Sequence, residues 1–123
     1  MTWLLVAEDN DDLRKQLAEA LRERGYDVHT AADGAEVVQM LDVATEMPAA
    51  VLLDLVMPRV SGREVLRAMR SLGKARHVPV VVLSASGLED YEVDAFGVAA
   101  VLLKPAAVDH VFAVLDRICG APS

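Results

Sequence analysis

The sequence is poor in cysteine, aromatic residues and basic residues, and each scarcity excludes a class of protein. The single cysteine, Cys119, cannot form an internal disulfide, and its helical spacing from Phe112 and Leu115 indicates a small core residue. Aromatic residues make up 4% of the chain, too few to sandwich a flavin ring. Twelve Lys and Arg against 19 Asp and Glu give a formal net charge of -7, which argues against direct binding to nucleic acid.

Long hydrophobic runs are also missing. The run that follows Met1-Thr2 covers only residues 3–7 and has no basic segment before it, so we expect neither a signal peptide nor a membrane span. The expected compartment is the cytoplasm. What is present is a chain of 123 residues with 54% hydrophobic content, enough to bury one core. We expect one domain over residues 1–119 and a short tail at 120–123.

Apolar runs alternate with segments of helical periodicity along the whole chain. Strands are predicted at residues 3–7, 27–31, 49–53, 79–83 and 98–103, and helices from Asn10 to Gly25, at 35–44, 62–72, 89–96 and 108–119. Right-handed crossovers place helices on both faces of a parallel sheet. The pattern therefore predicts a doubly wound α/β fold with strand order 2-1-3-4-5 and five helices, as in flavodoxin-like proteins.

Side chains with acidic, hydroxyl or amine groups follow four of the predicted strands. Glu8-Asp9, Asp54, Ser84 and Lys104 follow the first, third, fourth and fifth strands. The carboxyl ends of parallel strands share one edge, so three acids, a hydroxyl and an amine are expected to converge. Crowded carboxylates repel each other unless a cation is present. Because all the ligands are oxygens, the predicted ion is Mg²⁺.

An aspartyl phosphate is the chemistry that such a site supports. Asp54 is the candidate nucleophile, since it stands alone at the central strand while Glu8 and Asp9 are adjacent and better suited to share a metal. Lys104 and Ser84 can bind phosphoryl oxygens. Taken singly, each residue has a simpler explanation as a helix cap, a turn or a solvated charge. Their occurrence together at the ends of four predicted strands favours one shared phosphoryl-transfer site instead.

The chain resembles the receiver domain of bacterial two-component response regulators over essentially its whole length. The resemblance is carried by Glu8-Asp9-Asn10, by the segment 54–58 (DLVMP) with Gly62, by Ser84-Ala85 and by Lys104-Pro105. Each motif is weak alone, but the ordered set is specific.

The resemblance implies a role for each matching residue. Asp54 is the expected phosphoacceptor, Ser84 the switch hydroxyl, and Lys104 the phosphate-binding lysine, whose bond to Pro105 is usually cis in the family. The expected Mg²⁺ ligands are Glu8, Asp9, Asp54 and the backbone carbonyl of Val56, with Asp9 binding directly and Glu8 through water.

The resemblance also implies partners. The expected phosphoryl donor is a sensor histidine kinase or a histidine phosphotransfer protein, and the chain is expected to be a signalling phosphoacceptor that catalyses only its own phosphorylation and dephosphorylation. Output is expected through a downstream protein, through a homodimer or through a further domain.

Two positions depart from the family pattern. Val101 stands where Tyr or Phe is common, and Ala106 stands where a bulky residue is common. A valine cannot swing inward as an aromatic ring does. We therefore expect a shallower response to phosphorylation in residues 86–96, whose thin apolar stripe also predicts mobility.

Three other functions compete with this one. A receiver-like interaction module that is never phosphorylated is the main alternative. A hydrolase of the haloacid dehalogenase type would need a second acid two residues after the nucleophile, where Val56 stands. A phosphohistidine carrier would use one of three histidines, which we expect on the surface: His29, His77 and His110.

Overall fold

The computed structural model of the chain describes residues 3–85, 88 and 90–120. Strands and helices alternate over this part of the chain. The strands are β1 (Trp3–Ala7), β2 (Asp27–Ala31), β3 (Ala50–Asp54), β4 (Val80–Ser84) and β5 (Ala100–Leu103). The helices are α1 (Asp11–Glu23), α2 (Gly34–Val43), α3 (Gly62–Ser71), α4 (Asp90–Phe96) and α5 (Val108–Cys119). A short 3-10 turn, Gly73–Ala75, follows α3.

All the strands lie parallel in one sheet of order β2-β1-β3-β4-β5, which confirms the predicted doubly wound fold. Every residue of β3 and β4 is buried, as expected for strands covered by helices on both faces. Along the chain, β2 is added on one side of β1, whereas β3, β4 and β5 are added on the other side. The strand order therefore reverses between β1 and β3. Such a reversal opens a crevice at the carboxyl ends of the two strands, where open α/β folds bind ligands.

The hydrophobic core forms one layer on each face of the sheet. Because successive strand residues point to opposite faces, Leu5 and Leu53 pack on one side, while Leu4 and Leu52 pack on the other. The first layer includes Val37, Val65 and Met69 of α2 and α3, and the second includes Leu17, Leu21, Val111 and Leu115 of α1 and α5. Burying one such side chain stabilises the folded state by about 1.5–3 kcal/mol. The two layers together therefore keep the strands, and the residues at their ends, in fixed positions.

Side-chain caps start three of the helices. Asn10, Asp33 and Ser61 accept hydrogen bonds from the backbone N–H groups of the third residues of α1, α2 and α3. Gly25, with φ of 108°, follows the end of α1 in the position predicted for it. That backbone conformation suits glycine because it has no Cβ.

The last helix differs from its predicted apolar face at two positions. The helical spacing of Val108 with Val111, Phe112 and Leu115 predicts one apolar face that includes all of them, but Val108 is 40% exposed, while Val114, which is not part of that series, is only 5% exposed. Val108 is the first residue of the helix, so no preceding turn covers it. Cys119 is half-buried against the core layer of α1 and α5, and burial raises the pKa of its thiol.

Two glycines hold the loop after β3 against its neighbours. A Cβ on Gly62 would lie 2.5 Å from the Leu55 Cα, and one on Gly34 would lie 2.0 Å from the Val60 carbonyl oxygen. Real side chains do not approach backbone atoms so closely, so both positions require glycine. The segment that follows Asp54 is therefore packed at both ends, which restricts where that aspartate can lie.

Helix α3 contacts α4 through arginines. Arg63 forms an ion pair with Glu92 at 2.6 Å, and Arg70 donates to the carbonyl oxygens of Phe96 at 2.7 Å and Gly97 at 3.3 Å. The predicted responsive segment, 86–96, includes residues 86, 87 and 89, which lie outside the described part of the chain. Its mobility stays a prediction.

Candidate functional site

Three carboxylates meet at the carboxyl edge of β1 and β3. Oxygen atoms of Glu8, Asp9 and Asp54 all lie within 4.8 Å of one another. Glu8 and Asp54 are buried, at 0% and 3% exposed, whereas Asp9 faces solvent. The backbone explains the meeting, because β1 and β3 are hydrogen-bonded neighbours and Ala7 pairs with Leu53, immediately before the acids.

Lys104 reaches the same point from the end of β5. Its Nζ lies 2.7 Å from Glu8 Oε1 and 3.2 Å from Asp54 Oδ2, and its side chain is 27% exposed. Burial lowers the pKa of Lys104, but the two carboxylates outweigh burial and the net pKa is raised. The amine is therefore a permanent cation beside Asp54. The Lys104-Pro105 peptide bond is cis.

The backbone N–H and both side-chain oxygens of Glu8 form hydrogen bonds. Its backbone N–H donates to the Ala31 carbonyl at 3.1 Å, its Oε2 accepts from the Asn10 N–H at 3.1 Å, and its Oε1 accepts from Lys104. Burial raises the pKa of Glu8 to about 7, an effect that Lys104 and the Asn10 N–H oppose and that nearby Asp54 and Asp9 reinforce. Near neutral pH this carboxyl is a proton-binding group within the cluster.

The two carboxylate oxygens of Asp54 have different partners, one in the following turn and one in the acid cluster. Oδ1 accepts from the backbone N–H of Val56 at 3.1 Å, and Oδ2 faces Lys104. The simple turn-capping role is thus present, but it engages one oxygen only and does not account for the half-buried amine beside the other. The Val56 side chain is 75% exposed and follows directly in the loop after β3.

Ser84 ends β4, the strand between those of Asp54 and Lys104. It is 3% exposed, and its carbonyl oxygen accepts the Lys104 backbone N–H at 2.9 Å. In the sheet register Asp54 pairs with Leu83 and Ser84 pairs with Leu103. The serine therefore lies at the same edge of the sheet as the acids and the lysine.

The donor set suits a hard divalent cation. Its ligand groups are carboxylates within reach of one ion, one of them solvent-facing, which matches the preference of Mg²⁺ for a few carboxylates and several retained waters. Lys104 now neutralises part of that negative charge. Glu8, Asp9 and Asp54 are the residues that would hold the ion.

The raised pKa of Glu8 predicts how the stability of the metal-free protein changes with pH. The folded state binds this proton more tightly than the unfolded state between pH 4.5 and about 7, so the free energy of unfolding falls as pH rises through that range. The slope from one such group is at most about 1.4 kcal/mol per pH unit. Denaturant titrations across this range should show the decline in the wild type and a reduced decline in Glu8→Gln. Equal slopes in both proteins would contradict the assignment.

Sequence reasoning missed one residue that contacts the cluster. Arg14 donates from Nη1 to the backbone carbonyl of Glu8 at 2.9 Å. A signal was available, because Arg14 stands four residues after the helix cap Asn10, on the turn that faces back toward the strand end.

The three histidines lie away from the acids. His29 packs edge-on against Trp3, with ring centroids 5.1 Å apart, and His77 and His110 are exposed. None of the helices in the described ranges is both long and apolar enough to cross a membrane.

Comparison with known proteins identifies the family of the chain and agrees with this fold. The response regulator receiver domain family matches residues 4–116. The response regulator MprA of Mycobacterium ulcerans is 36% identical over 112 residues, which cover 89% of this chain and 47% of that protein. The chain thus spans about half the length of the curated relatives it matches.

Solved structures show the same fold. The chemotaxis protein CheY4 of Vibrio cholerae superposes with a TM-score of 0.87 at 27% identity, covering 96% of this chain and 98% of that one. The receiver domain of the sensor histidine kinase PA1611 of Pseudomonas aeruginosa, described with a coordinated magnesium ion, gives a TM-score of 0.81 at 24% identity, with coverages of 98% and 99%. That second likeness shows the fold alone.

The chain carries an acid cluster and a lysine at the switch point of a doubly wound sheet, and its family match places it among receiver-type signalling domains. The chain belongs to the response regulator receiver domain family of two-component systems.

Proposed function

We propose that this domain accepts a phosphoryl group on Asp54, with Mg²⁺ held by Glu8, Asp9 and Asp54 and completed by the Val56 carbonyl. The observation that carries the proposal is the convergence on Asp54, at the end of β3, of two further carboxylates that follow β1 and a half-buried amine that follows β5. A structural ion pair would need only one acid for one lysine.

The reaction is an in-line displacement at phosphorus. A carboxylate oxygen of Asp54 attacks, the bond from phosphorus to the donor's histidine nitrogen breaks, and that nitrogen keeps the electron pair. The product is a mixed anhydride of carboxylate and phosphate. Bound Mg²⁺ supplies charge neutralisation for the phosphoryl oxygens. Lys104, 3.2 Å from Oδ2, is placed to pair with one of these oxygens, and Ser84 is proposed to donate to another.

Phosphorylation is proposed to change the populations of two conformations. The phosphate adds about two negative charges and three acceptor oxygens, which Ser84 and Lys104 gain as partners. Coupling of about 1–3 kcal/mol is typical of such switches, while a nearly complete change of populations needs about 5.5 kcal/mol. Because Val101 is half-buried and too short to swing, we expect an incomplete change.

The proposed donor is a sensor histidine kinase or a histidine phosphotransfer protein. A cleft of about 430 Å³ adjoins Lys104 between α1 and the segment after β5, lined mainly by apolar groups that include Leu13, Leu17 and Ala106. The small Ala106 side chain leaves this cleft open beside the site. We propose that an apolar side chain of the donor protein enters it.

The proposed setting is the cytoplasm, and residues 1–119 are proposed to form the folded unit. Since the chain spans 47% of a related response regulator, output is proposed to pass through a further domain, a protein partner or a homodimer.

Acetyl phosphate tests the proposed function. Intact-protein mass spectrometry should show a gain of one phosphoryl group with Mg²⁺ and none when a chelator replaces the metal. Treatment with hydroxylamine should remove the gain, because that reagent cleaves acyl phosphates. No gain with acetyl phosphate or with phosphorylated histidine donors would instead support the interaction module that is never phosphorylated.

A further inference from the structure

Arg14 connects the start of α1 to the acidic pair. Its Nη1 donates to the backbone carbonyl oxygen of Glu8 at 2.9 Å, while its Nη2 pairs with Asp11 one helical turn earlier. The Arg14 side chain is only 15% exposed although it starts from a surface helix. The guanidinium is thus packed between the helix and the strand end.

The carbonyl that Arg14 holds belongs to the peptide bond between Glu8 and Asp9. This peptide unit is planar, so its orientation sets the directions in which the two neighbouring carboxylates leave the chain. The N–H of Glu8 belongs to the preceding peptide unit, Ala7-Glu8, and donates to the Ala31 carbonyl oxygen. The bond from Arg14 to the Glu8 carbonyl restricts rotation of the Glu8-Asp9 peptide plane.

We propose that Arg14 is a positioning residue for the divalent cation, which it affects by fixing the Glu8-Asp9 peptide and not by contacting the ion. The inference rests on the proposed function, because it concerns the same metal site. Groups that orient metal ligands in this way typically change metal affinity by about 10–100-fold when they are lost.

If Arg14 acted only through its charge, its removal would raise the affinity for the cation instead of lowering it. Arg14 is a permanent cation near the cluster, and its removal also leaves the exposed carboxylate of Asp11 without this partner. Both changes make the surroundings more negative, so long-range electrostatics would strengthen cation binding. The direction of the change therefore separates positioning from charge.

Arg22 offers a matched control on the same helix. It stands eight residues after Arg14 and donates from Nη2 to the backbone carbonyl of Val28 at 2.7 Å. Val28 pairs with Leu4, four residues before Glu8, so this bond holds β2 at the other end of the sheet. Both arginines join α1 to a strand backbone, but only Arg14 does so at the acids.

Calorimetric titration with Mg²⁺ tests the inference in the wild type, Arg14→Met, Arg14→Lys and Arg22→Met, alongside their metal-free thermal unfolding. We expect the affinity of Arg14→Met to fall by about tenfold or more. Arg14→Lys should recover part of the loss, because an amine can still donate to the Glu8 carbonyl. Arg22→Met should bind like the wild type, even if it unfolds more readily.

Three results would overturn the positioning role. They are unchanged or tighter binding by Arg14→Met, an equal loss of affinity in Arg22→Met, and a loss in Arg14→Met that Arg14→Lys does not reduce. A wild type that binds no Mg²⁺ is a different result, because it removes the metal site itself and contradicts the proposed function as well.

Discussion

Asp54→Asn is expected to take up no phosphoryl group from acetyl phosphate under conditions that phosphorylate the wild type. The amide has the shape of the carboxylate but no anionic oxygen to attack phosphorus, so the acyl phosphate cannot form. The carboxylate of Asp54 also raises the pKa of Glu8, and its loss relieves that repulsion. The free energy of unfolding of the variant should therefore be at least that of the wild type near neutral pH. A failure to take up the phosphoryl group could then not be explained by unfolding.

Asp116→Asn is the matched control for this variant. Asp116 accepts from the Tyr26 hydroxyl at 2.7 Å and pairs with Arg24, near the opposite edge of the sheet. It should be phosphorylated at the wild-type rate. Phosphoryl gain by Asp54→Asn at the same rate, located by peptide mapping on another residue, would show that the acceptor had been assigned wrongly.

Lys104→Met is expected to slow phosphoryl transfer by about 10²–10³-fold while Mg²⁺ still binds. The magnitude is that of removing one preorganised group from developing negative charge. The lysine also lowers the pKa of Glu8 through its 2.7 Å bond, so the carboxyl in the variant should bind its proton still more tightly. Removing the amine takes a competing cation from the cluster, so at a pH high enough to deprotonate Glu8 in the variant we expect Mg²⁺ affinity to rise even though transfer slows.

The opposite directions of these two changes make the Lys104 prediction specific. Phosphorylation rates by mass spectrometry and Mg²⁺ affinity by calorimetry should be measured on the same preparations. Lys74→Met provides the control, because Lys74 donates only to backbone carbonyls, those of Asp42 and Ala44, among the contacts the structure describes. A wild-type transfer rate in Lys104→Met would remove the amine from the mechanism.

The contacts between α3 and α4 bear on how a signal leaves the site. Arg63, Arg67 and Arg70 lie on one face of α3, and the guanidinium of Arg67 lies 5.8 Å from the Phe96 ring centroid. Helix α3 follows the tightly packed loop after Asp54. A change in that loop therefore has a direct structural connection to α4 that does not pass through Val101.

The fold was predictable from the sequence because its determinants are local and repeated. Apolar runs without alternation, such as β3 and β4, occur where both faces of a strand are covered, and the caps Asn10 and Ser61 mark helix starts by their own hydrogen bonds. Right-handed crossovers then leave few possible strand orders. Prediction was weakest at element ends, as at Val108, where exposure depends on whether a neighbouring segment covers the first turn.

The sequence by itself determined which residues stand at the strand ends and what chemistry their side chains can perform. Only the tertiary structure decided that Lys104 lies 2.7 Å from Glu8, that burial raises the pKa of Glu8 to about 7, and that Arg14 holds the peptide between the two acids. Residue types and periodicity are properties of neighbouring positions along the chain. Distances, burial and hydrogen bonds between strands depend on how far each side chain extends after the sheet has packed, which residue types and periodicity alone do not specify.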